Sequence, residues 1–495
     1  MRPSAALSLP QPRDGTPAWR WLCAALRAEI LEGRLRPGDR LPATRGLARQ
    51  HGLSRGTIVA AFRQLEAEGY VAGSRGSGTY VSQVLPDDLL QVPRRSSVAP
   101  PARANLRRNL STFAGRVIGF PGFSVRPTRA FRCDLPALDL FPTTLWAQVA
   151  GRRLRGATLD LLLGCGPLGY IPLRRAVADY LRTSRGVRCE AEQIVIVSGA
   201  QEALDLVARV FVNPGDRVAV EDPGYPGAAL LFHALGARVV PVPLDDEGMQ
   251  VPAARVRGAR LAYVTPAHQF PTGIGMTLRR RLALLEWARA GGTVIVEDDY
   301  DSEYRYAGRP MPALQGLDRH GLVLFVGSFS KVLFPSLRLG YLVIPPDLID
   351  RFEAIRSVTS RHASLVEQAV LCDFITEGHF GRHVRRMRAI YAERLGVLLE
   401  TARTRLTGML ELSSVEAGLQ TTAWLAPGID AEQVAAAAGQ RDVDVVPLGR
   451  YQRRPAPAAP QGLQLGFAAV DGHEIRRGVR ELVQVLESIR PAGDP

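Results

Sequence analysis

Lys331 is the first candidate for covalent chemistry, because it is the single lysine in a chain of 495 residues. The other 61 of the 62 basic residues are arginines. Arginine stays protonated and cannot act as an amine nucleophile, whereas a desolvated lysine can lose its proton and form a Schiff base. Lys331 follows the apolar run 322–326 and the small-residue loop Gly327-Ser328-Phe329-Ser330. This setting at the end of a strand predicts a lysine that holds a cofactor.

Two further polar sets follow apolar runs in the same way. Glu297-Asp298-Asp299-Tyr300 comes after the run 293–296, and Ser198-Gly199-Ala200-Gln201 comes after the run 194–197 and begins a helix. Open α/β sheets bind ligands at the carboxyl ends of their strands. A lysine amine, a carboxylate for a pyridine nitrogen and a helix N-terminus for a phosphate are the groups that a pyridoxal 5'-phosphate site requires. The sequence therefore predicts this cofactor.

The elements that must position these residues alternate between strand and helix from about residue 131 to 490. This alternation predicts a large, mostly parallel α/β sheet, followed by a smaller α+β lobe. We expect the large lobe at about 150–345 and the small lobe at about 346–490. The predicted strands of the large lobe are 193–197, 217–220, 238–242, 261–265, 293–296, 322–326 and 339–344. Short strands near 421–425 and 463–467 belong to the small lobe.

Residues 16–83 have a different pattern, with three helices followed by a hairpin. Apolar spacing predicts helices at 18–31, at 43–50 and from the N-cap Ser54 onward, and 70–81 predicts two strands around a glycine-rich turn. The second helix of a helix-turn-helix pair enters the major groove of DNA by its N-terminal residues. The expected DNA-contacting residues are Arg45, Ser54, Arg55, Gly56, Thr57 and, at the turn, Arg75.

Charge supports a nucleic-acid partner for the first quarter of the chain. The formal net charge is +14, of which +6 lies in residues 1–82 and another +6 in residues 83–130. Concentrated positive charge is the electrostatic footprint of nucleic-acid binding. Residues 84–130 are rich in proline and arginine, which predicts an extended linker. A solvated spacer and a weak phosphate contact both remain open for this segment.

Composition excludes several other classes of protein. The sequence contains no apolar stretch long enough to span a bilayer, and its start lacks a signal-peptide core, so we expect a cytoplasmic protein. The five cysteines are scattered without a Cys-x-x-Cys pair. This scatter predicts neither a metal site nor a disulfide framework.

Several motifs of the N-terminal region resemble those of the GntR family of winged-helix regulators. They are Gly33-Arg-Leu-Arg-Pro-Gly-Asp-Arg-Leu-Pro-Ala-Thr-Arg-Gly-Leu-Ala, Leu53-Ser-Arg-Gly-Thr-Ile-Val, Leu65-Glu-Ala-Glu-Gly-Tyr and Gly76-Ser-Gly-Thr-Tyr-Val. The resemblance implies binding of operator DNA, normally by a dimer on a repeated half-site.

The order of the cofactor motifs in residues 131–490 resembles fold-type I aminotransferases of class I/II. The resemblance implies that Lys331 is the Schiff-base lysine, that Asp298 pairs with the pyridine nitrogen and that Tyr300 donates to the phenolic oxygen. It implies that Ser328 and Arg338 bind the phosphate, together with the helix start at Gly199, Ala200 and Gln201. Tyr225, in Glu221-Asp-Pro-Gly-Tyr, is similar to the residue that stacks on the ring, although a packed loop aromatic is the alternative.

Three positions depart from the aminotransferase pattern. Phe270 stands where an asparagine usually precedes Pro-Thr-Gly, and Gln464 stands where many relatives carry an arginine that clamps the substrate carboxylate. A neutral glutamine cannot supply a charged, bidentate clamp, and Arg450, Arg453 or Arg454 could take its place. Gly227 replaces the basic side chain of relatives that respond to GABA, so GABA is not the expected ligand.

A winged helix, a basic linker and an aminotransferase-like domain in one chain resemble the MocR/GabR subfamily of GntR regulators. The resemblance implies a multidomain, head-to-tail homodimer that regulates transcription and senses an amine, an amino acid or pyridoxal phosphate itself. The domains are expected at 16–83, 84–130 and 131–490. Two alternatives remain open: a working aminotransferase with a DNA-binding appendage, and a domain that has lost its cofactor and serves only for dimerisation.

Overall fold

A computed structural model describes residues 9, 16–74, 78–85, 109–119, 127–251, 256–306, 312–413, 415–454 and 460–489. The chain divides into two compact units, Met1–Arg108 and Asn109–Pro495. Within the described residues, none of the helices is both long enough and apolar enough to cross a membrane.

The first unit is a three-helix module with a hairpin, as the sequence predicts. Helices α1, α2 and α3 span Ala18–Leu31, Thr44–His51 and Arg55–Ala67, and the antiparallel strands β1 and β2 span Val71–Ser74 and Gly78–Val81. The apolar faces of α1 and α3 meet in a core with Leu26 and Leu65 fully buried. Gly52 ends α2 in the left-handed conformation that glycine adopts without steric cost. The core thus fixes the angle between α2 and α3.

The second unit begins inside the segment that the sequence predicts as a linker. A short helix, α4, spans Thr112–Arg116 and packs against a helix of the large lobe near Gly236, where a Cβ would lie 2.5 Å from the Arg116 guanidinium. Residues 86–108 and 120–126 of the linker lie outside the described residues, so its boundaries stay predictions.

An eight-stranded sheet forms the large lobe. Its strands are β3 Ile194–Val197, β4 Arg217–Asp222, β5 Arg238–Asp245, β6 Gly248–Met249, β7 Leu261–Val264, β8 Val294–Asp299, β9 Val323–Ser328 and β10 Gly340–Val343. The spatial order is β3-β10-β9-β8-β7-β4-β5-β6, with β9, β8, β7, β4 and β5 parallel and with β10 and β6 antiparallel to their neighbours. All seven predicted strands are present, and β6 is the one that the sequence analysis missed.

Helices cover the sheet on both faces, as a buried parallel sheet requires. They are α5 Thr143–Arg155, α6 Leu159–Leu163, α7 Ile171–Ser184, α8 Ala200–Phe211, α9 Pro226–Ala234, α10 Leu278–Gly291 and α11 Leu314–Leu317. Helix α9, which follows the Tyr225 loop, is the helix against which α4 packs. Strands β3 and β7 are buried at every residue, which explains why they appear in the sequence as continuous apolar runs.

The C-terminal lobe combines helices with a four-stranded antiparallel sheet. Its helices are α12 Ile349–Val358, α13 Leu365–Thr376, α14 His379–Arg405, α15 Ala431–Gly439 and α16 Gly472–Ile489, and its strands are β11 Leu410–Leu412, β12 Gln420–Leu425, β13 Val446–Pro447 and β14 Gly462–Gly466. The strand order is β11-β12-β14-β13. The start of the large domain is tied to this sheet, because Gly466 N donates to Phe131 O and Asp444 N donates to Ala130 O.

Candidate functional site

Lys331 lies three residues beyond β9, and its side chain is 27% exposed. Its Nζ atom is 2.8 Å from Asp134 Oδ1 and 3.0 Å from the backbone oxygen of Asp134. Asp134 adopts a φ of 67°, a left-handed conformation that is uncommon for any residue except glycine. Sequence reasoning missed Asp134, because it lies 197 residues before Lys331 and no local motif marks it.

Of the three consecutive acids at the end of β8, one faces Lys331. Glu297 accepts hydrogen bonds of 2.8 Å from the backbone N–H groups of Leu314 and Gln315, so it caps α11. Asp299 is paired with Arg185 at 2.7 Å. Asp298 points to the opposite face of the strand from these two, and the positive charge of Lys331 acts on its carboxylate. The alternation of the strand therefore selects Asp298 for the site.

One oxygen of the Asp298 carboxylate accepts a hydrogen bond that orients the group, and the other has no hydrogen-bond partner among the described residues. Tyr263, buried on β7, donates its hydroxyl to Asp298 Oδ2 at 2.7 Å. Asp298 Oδ1 is buried and has no hydrogen-bond partner among the described residues. Burial raises the pKa of Asp298 to about 7, although the Tyr263 hydrogen bond lowers it. An unpaired, buried carboxylate oxygen at this place fits a protonated ring nitrogen.

Tyr300 belongs to a buried polar cluster beside Asp298. Its hydroxyl lies 3.0 Å from His268 Nδ1, which is also 3.1 Å from both carboxylate oxygens of Asp301. Burial, and then the charges of Asp301 and Asp134, raise the pKa of the Tyr300 hydroxyl well above its ordinary value. Tyr300 therefore stays protonated and can donate a hydrogen bond to an oxygen in the site.

Tyr225 lies at the N-cap of α9, and its ring packs over Gly227. A Cβ at Gly227 would lie 2.6 Å from the Tyr225 ring and 2.7 Å from Gln201 Oε1. The Phe270 ring meets Tyr225 edge-on at 5.8 Å and Tyr300 at 5.9 Å. The absence of a side chain at Gly227 thus leaves space for the Tyr225 ring. The aromatic ring of Phe270 occupies the position where an asparagine is expected. A cavity of about 320 Å³ adjoins Tyr225 and Tyr451.

Three backbone segments converge at the opposite end from Asp298. Gly199 has a φ of 103° and caps α8, and a Cβ there would lie 3.4 Å from the Arg338 guanidinium. Gly340 also packs closely against Gly199, since a Cβ built at Gly340 would lie 3.3 Å from Gly199 Cα. Ser328 Oγ accepts the N–H of Ser330 at 3.2 Å. The free N–H groups at the start of α8, at Ala200 and Gln201, and the nearby guanidinium form a cradle suited to a phosphate.

Gln464 occupies β14 and is fully buried. Its Oε1 accepts the hydroxyl of Tyr451 at 2.7 Å, and its Nε2 has no hydrogen-bond partner within the described part of the chain. Arg450, a possible substitute for the missing arginine, is paired with Glu432, with Nε 2.9 Å from Oε1. Arg453 uses its backbone N–H to bind Asp222 Oδ1 at 2.8 Å. The position therefore offers a neutral amide instead of a guanidinium.

In the first unit, the predicted DNA-contacting residues lie on exposed positions of α2 and at the start of α3. Arg45 and Arg55 are exposed, and Ser54 caps α3 by accepting the N–H of Thr57 at 3.1 Å. The Ser54 and Thr57 hydroxyls also lie 2.8 Å apart, so both take part in the cap. Arg75 lies outside the described residues.

Two protein families match this chain. Residues 22–81 match the family described as bacterial regulatory proteins of the gntR family, and residues 152–410 match aminotransferase class I and II. The probable rhizopine catabolism regulatory protein MocR of Rhizobium meliloti is 40% identical over 478 residues, which cover 96% of this chain and 95% of that protein.

The chain belongs to the MocR-type regulators of the GntR family. Another relative is the HTH-type pyridoxine biosynthesis transcriptional regulator PdxR of Corynebacterium glutamicum, which is 30% identical over 95% of this chain and 96% of that protein. As a MocR-type regulator, the protein combines a DNA-binding unit with an aminotransferase-like, ligand-binding unit. It is thus a pyridoxal phosphate-dependent DNA-binding regulator of transcription.

Solved aminotransferases share the fold of the second unit. The α-aminoadipate aminotransferase LysN of Thermus thermophilus, solved with N-(5'-phosphopyridoxyl)-L-leucine, has a TM-score of 0.68 and 29% identity over 77% of this chain and 97% of that chain. The kynurenine aminotransferase of Pyrococcus horikoshii has a TM-score of 0.67 and 29% identity over 73% of this chain and 91% of that chain. These neighbours agree with pyridoxal phosphate as the cofactor of the regulator.

Proposed function

We propose that the regulator senses an amine through pyridoxal phosphate held between Lys331 and Asp298. The observation that carries the proposal is the buried, unpartnered Oδ1 of Asp298 in the described structure, beside the single lysine of the chain. Lys331 is the residue to which the cofactor attaches. Asp298 pairs with the ring nitrogen, and Tyr300 donates to the ring oxygen.

The other predicted cofactor residues take supporting roles. Tyr225 stacks on the ring, with Gly227 leaving it room. The phosphate is bound by the N–H groups at the start of α8, around Gly199, Ala200 and Gln201, and by Ser328 and Arg338. When bound, the cofactor supplies an electrophilic carbon that forms a Schiff base with a primary amine. The protein residues orient this group and exclude water from it.

Sensing requires that the ligand favours one arrangement of the chain over another. Two contacts support a route from the site toward the DNA-binding unit. Tyr225 is the N-cap of α9. Helix α4 packs on α9, and it begins at Thr112, three residues beyond Asn109, where the second unit begins. A movement of Tyr225 would therefore shift α9 and the chain that leads to Arg108. Coupling of this kind is worth about 1–3 kcal/mol.

For DNA binding, we propose that α3 reads the operator through Ser54, Arg55 and Thr57, with Arg45 and Arg75 as further contacts. GntR-type units commonly bind repeated half-sites as dimers, and we expect a head-to-tail homodimer in the cytoplasm. Helix α6 supports an interface between copies, since Leu159, Leu162 and Leu163 are each at least 70% exposed. Such an exposed apolar patch marks an association surface.

Pyridoxal phosphate itself is a second candidate effector, because filling the Asp298 site would satisfy a buried oxygen that lacks a partner. An active aminotransferase is the second candidate function, and the intact set of Lys331, Asp298 and Tyr300 supports it. Gln464 opposes efficient turnover of α-amino acids, since it offers no charge to their carboxylate.

The test combines the visible spectrum with DNA binding. The full chain is loaded with cofactor and titrated with a panel of amines and amino acids, and its affinity for its promoter DNA is measured by fluorescence anisotropy. A sensor gives a spectral change and a change in DNA affinity at the same ligand concentration. Complete conversion of the cofactor to pyridoxamine phosphate supports the enzyme, and a DNA affinity that is independent of both cofactor and amine contradicts sensing.

A further inference from the structure

Beside Lys331, Asp134 provides two oxygen atoms that can bind an ammonium group. Two oxygens of this one residue contact Lys331 Nζ, the carboxylate Oδ1 at 2.8 Å and the backbone oxygen at 3.0 Å. The lysine ammonium shows directly that an alkylammonium group fits between them. The Asp134 side chain is 40% exposed, so its carboxylate is partly open to solvent.

The segment that carries Asp134 is held rigidly. The N–H of Asp134 donates to Gln420 Oε1 at 3.0 Å, and Phe131 O accepts the N–H of Gly466 at 3.0 Å. The left-handed φ of 67° turns the carboxylate toward Lys331. Uncommon backbone conformations of this kind concentrate at functional sites, where the surroundings maintain them. Asp134 is thus a fixed acceptor and not a mobile surface acid.

The carboxylate of Asp134 acts on the aromatic rings of the site. After burial and Asp298, it is the next cause that raises the pKa of the Tyr225 hydroxyl. It also follows burial and Cys133 as a cause of the raised pKa of Tyr451. Asp134 therefore lies within electrostatic reach of the rings that adjoin Lys331, and a ligand there meets a negative charge.

The sheet face beside this charge, whose Gln420 accepts the N–H of Asp134, is neutral. Gln420, Thr422 and Gln464 lie on the same face of the paired strands β12 and β14. The Nε2 atoms of Gln420 and Gln464 are buried, and neither has a hydrogen-bond partner in the part of the chain that the structure describes. Such amide groups can donate to a neutral hydroxyl or ether oxygen. They cannot neutralise a carboxylate as a guanidinium does.

The arginines that could replace the missing clamp are engaged or lie to the side. Arg450 is paired with Glu432, and Arg132 donates to Asp444 at 3.3 Å. Arg338 lies against Gly199, in the phosphate cradle. Arg453 and Arg454 are the remaining competitors, because both side chains are exposed, and Arg453 lines the cavity that adjoins Tyr225.

We propose that this site selects primary amines that lack a carboxylate, such as amino alcohols or diamines, and that Asp134 binds their ammonium group as they enter, before the amine reacts with the cofactor. The inference rests on the proposed function, since it names the class of amine that the cofactor site would sense. An acidic ligand is disfavoured twice, by repulsion from Asp134 and by the absence of a charged partner at Gln464.

The test uses three ligands with the same four-carbon chain: 4-amino-1-butanol, 1,4-diaminobutane and 4-aminobutyrate. Binding to the full, cofactor-loaded chain is measured by isothermal titration calorimetry, and promoter DNA affinity is measured in parallel. We expect the alcohol or the diamine to bind at least about tenfold more tightly than 4-aminobutyrate, because all three bring an ammonium group but only 4-aminobutyrate brings a carboxylate that Asp134 repels. In Asp134→Asn this preference should fall below about threefold, as expected when a charged acceptor becomes neutral.

Asparagine is a suitable replacement because it also tolerates a positive φ, so the backbone turn should persist. Asp139→Asn, five residues further along the same segment and exposed, is the matched control and should keep the wild-type preference. Tighter binding of 4-aminobutyrate that is lost in Arg453→Gln would overturn the inference and leave amine sensing intact. An unchanged preference in Asp134→Asn would also overturn it. If none of the three ligands alters binding heat or DNA affinity, the inference fails together with the proposed sensing of amines.

Discussion

Replacing Tyr263 with phenylalanine should weaken cofactor binding, because it removes the hydrogen bond that orients Asp298. The Tyr263 hydroxyl lies 2.7 Å from Asp298 Oδ2, and Tyr263 is 1% exposed, so water cannot easily take its place. Burial raises the pKa of Asp298 to about 7, and the Tyr263 hydrogen bond opposes this rise. Without it the pKa should rise further, and at neutral pH less of Asp298 would carry the charge that pairs with a ring nitrogen.

The magnitude follows from the kind of hydrogen bond that is lost. A hydrogen bond to a charged group is worth about 1.5–3 kcal/mol, which corresponds to a factor of about 10–150 in a dissociation constant. The free protein loses part of the same interaction, so we expect the lower end of this range. The dissociation constant of pyridoxal phosphate should therefore rise about tenfold.

The assay is equilibrium titration of the apo chain with pyridoxal phosphate, followed by visible absorbance. Tyr180→Phe is the matched control. Tyr180 also donates a hydrogen bond to a carboxylate, that of Glu303 at 2.9 Å, and the pKa of Glu303 is likewise raised to about 7. The control should lose stability without losing cofactor affinity. Equal affinity of Tyr263→Phe and the wild type at pH 7 would refute the role assigned to Asp298.

The pH dependence gives a second check on the same reasoning. A carboxyl group whose pKa is raised on folding binds more protons in the native state than in the unfolded state, so it lowers stability as the pH rises between its two pKa values. For Asp298 this interval runs from about 4, the ordinary value, to about 7. The apo chain should lose stability across it, and the affinity deficit of Tyr263→Phe should shrink at pH 9, where Asp298 ionises in both proteins.

Three shorter predictions complete the set. Lys331→Ala should abolish the absorption band of covalently attached cofactor, and a surviving band would contradict the central assignment because the chain has no second lysine side chain. Arg55→Ala should abolish specific binding to promoter DNA in an anisotropy assay and leave the cofactor spectrum unchanged, whereas Arg289→Ala, an exposed arginine of the second unit, should alter neither. Gly227→Ala should displace the Tyr225 ring, since its Cβ would lie 2.6 Å away, and should weaken cofactor binding several-fold; unchanged affinity would show that the ring does not stack on the cofactor.

The fold could be predicted closely because its elements are locally encoded. Central strands such as β3 and β7 are buried at every residue, and such strands appear as continuous apolar runs. The N-cap at Ser54 and the left-handed Gly52 likewise follow from residue type. Helix α4 was missed because it has five residues and is stabilised by packing against α9, which a local pattern cannot show.

The positions of candidate site residues could be predicted where a motif follows a strand, and could not be predicted where distant segments meet. Lys331 and Asp298 follow from local motifs because they lie at or just beyond the ends of β9 and β8, which are neighbours in the sheet, and the roles proposed for them remain predictions. The structure adds a reason for choosing Asp298 over its two acidic neighbours, because both neighbours are engaged on the other face. No local motif marks Tyr263, since its hydrogen bond to Asp298 joins residues 35 positions apart.

Asp134 and Gln464 together determine the charge that a ligand meets in the site. Neither residue alone accounts for the proposed selectivity. The loss of an arginine at Gln464 by itself would weaken the binding of any carboxylate and would leave the site neutral there. Asp134 adds a negative charge beside Lys331, next to the group that ligand amines would replace. Lys331 contacts Oδ1 and the backbone oxygen of Asp134, so a ligand ammonium can make the same contacts once Lys331 is attached to the cofactor, whereas a ligand carboxylate would meet repulsion without compensation. The proposed selectivity therefore depends on one added negative charge and one missing positive charge, on a cofactor-binding fold that the aminotransferases share.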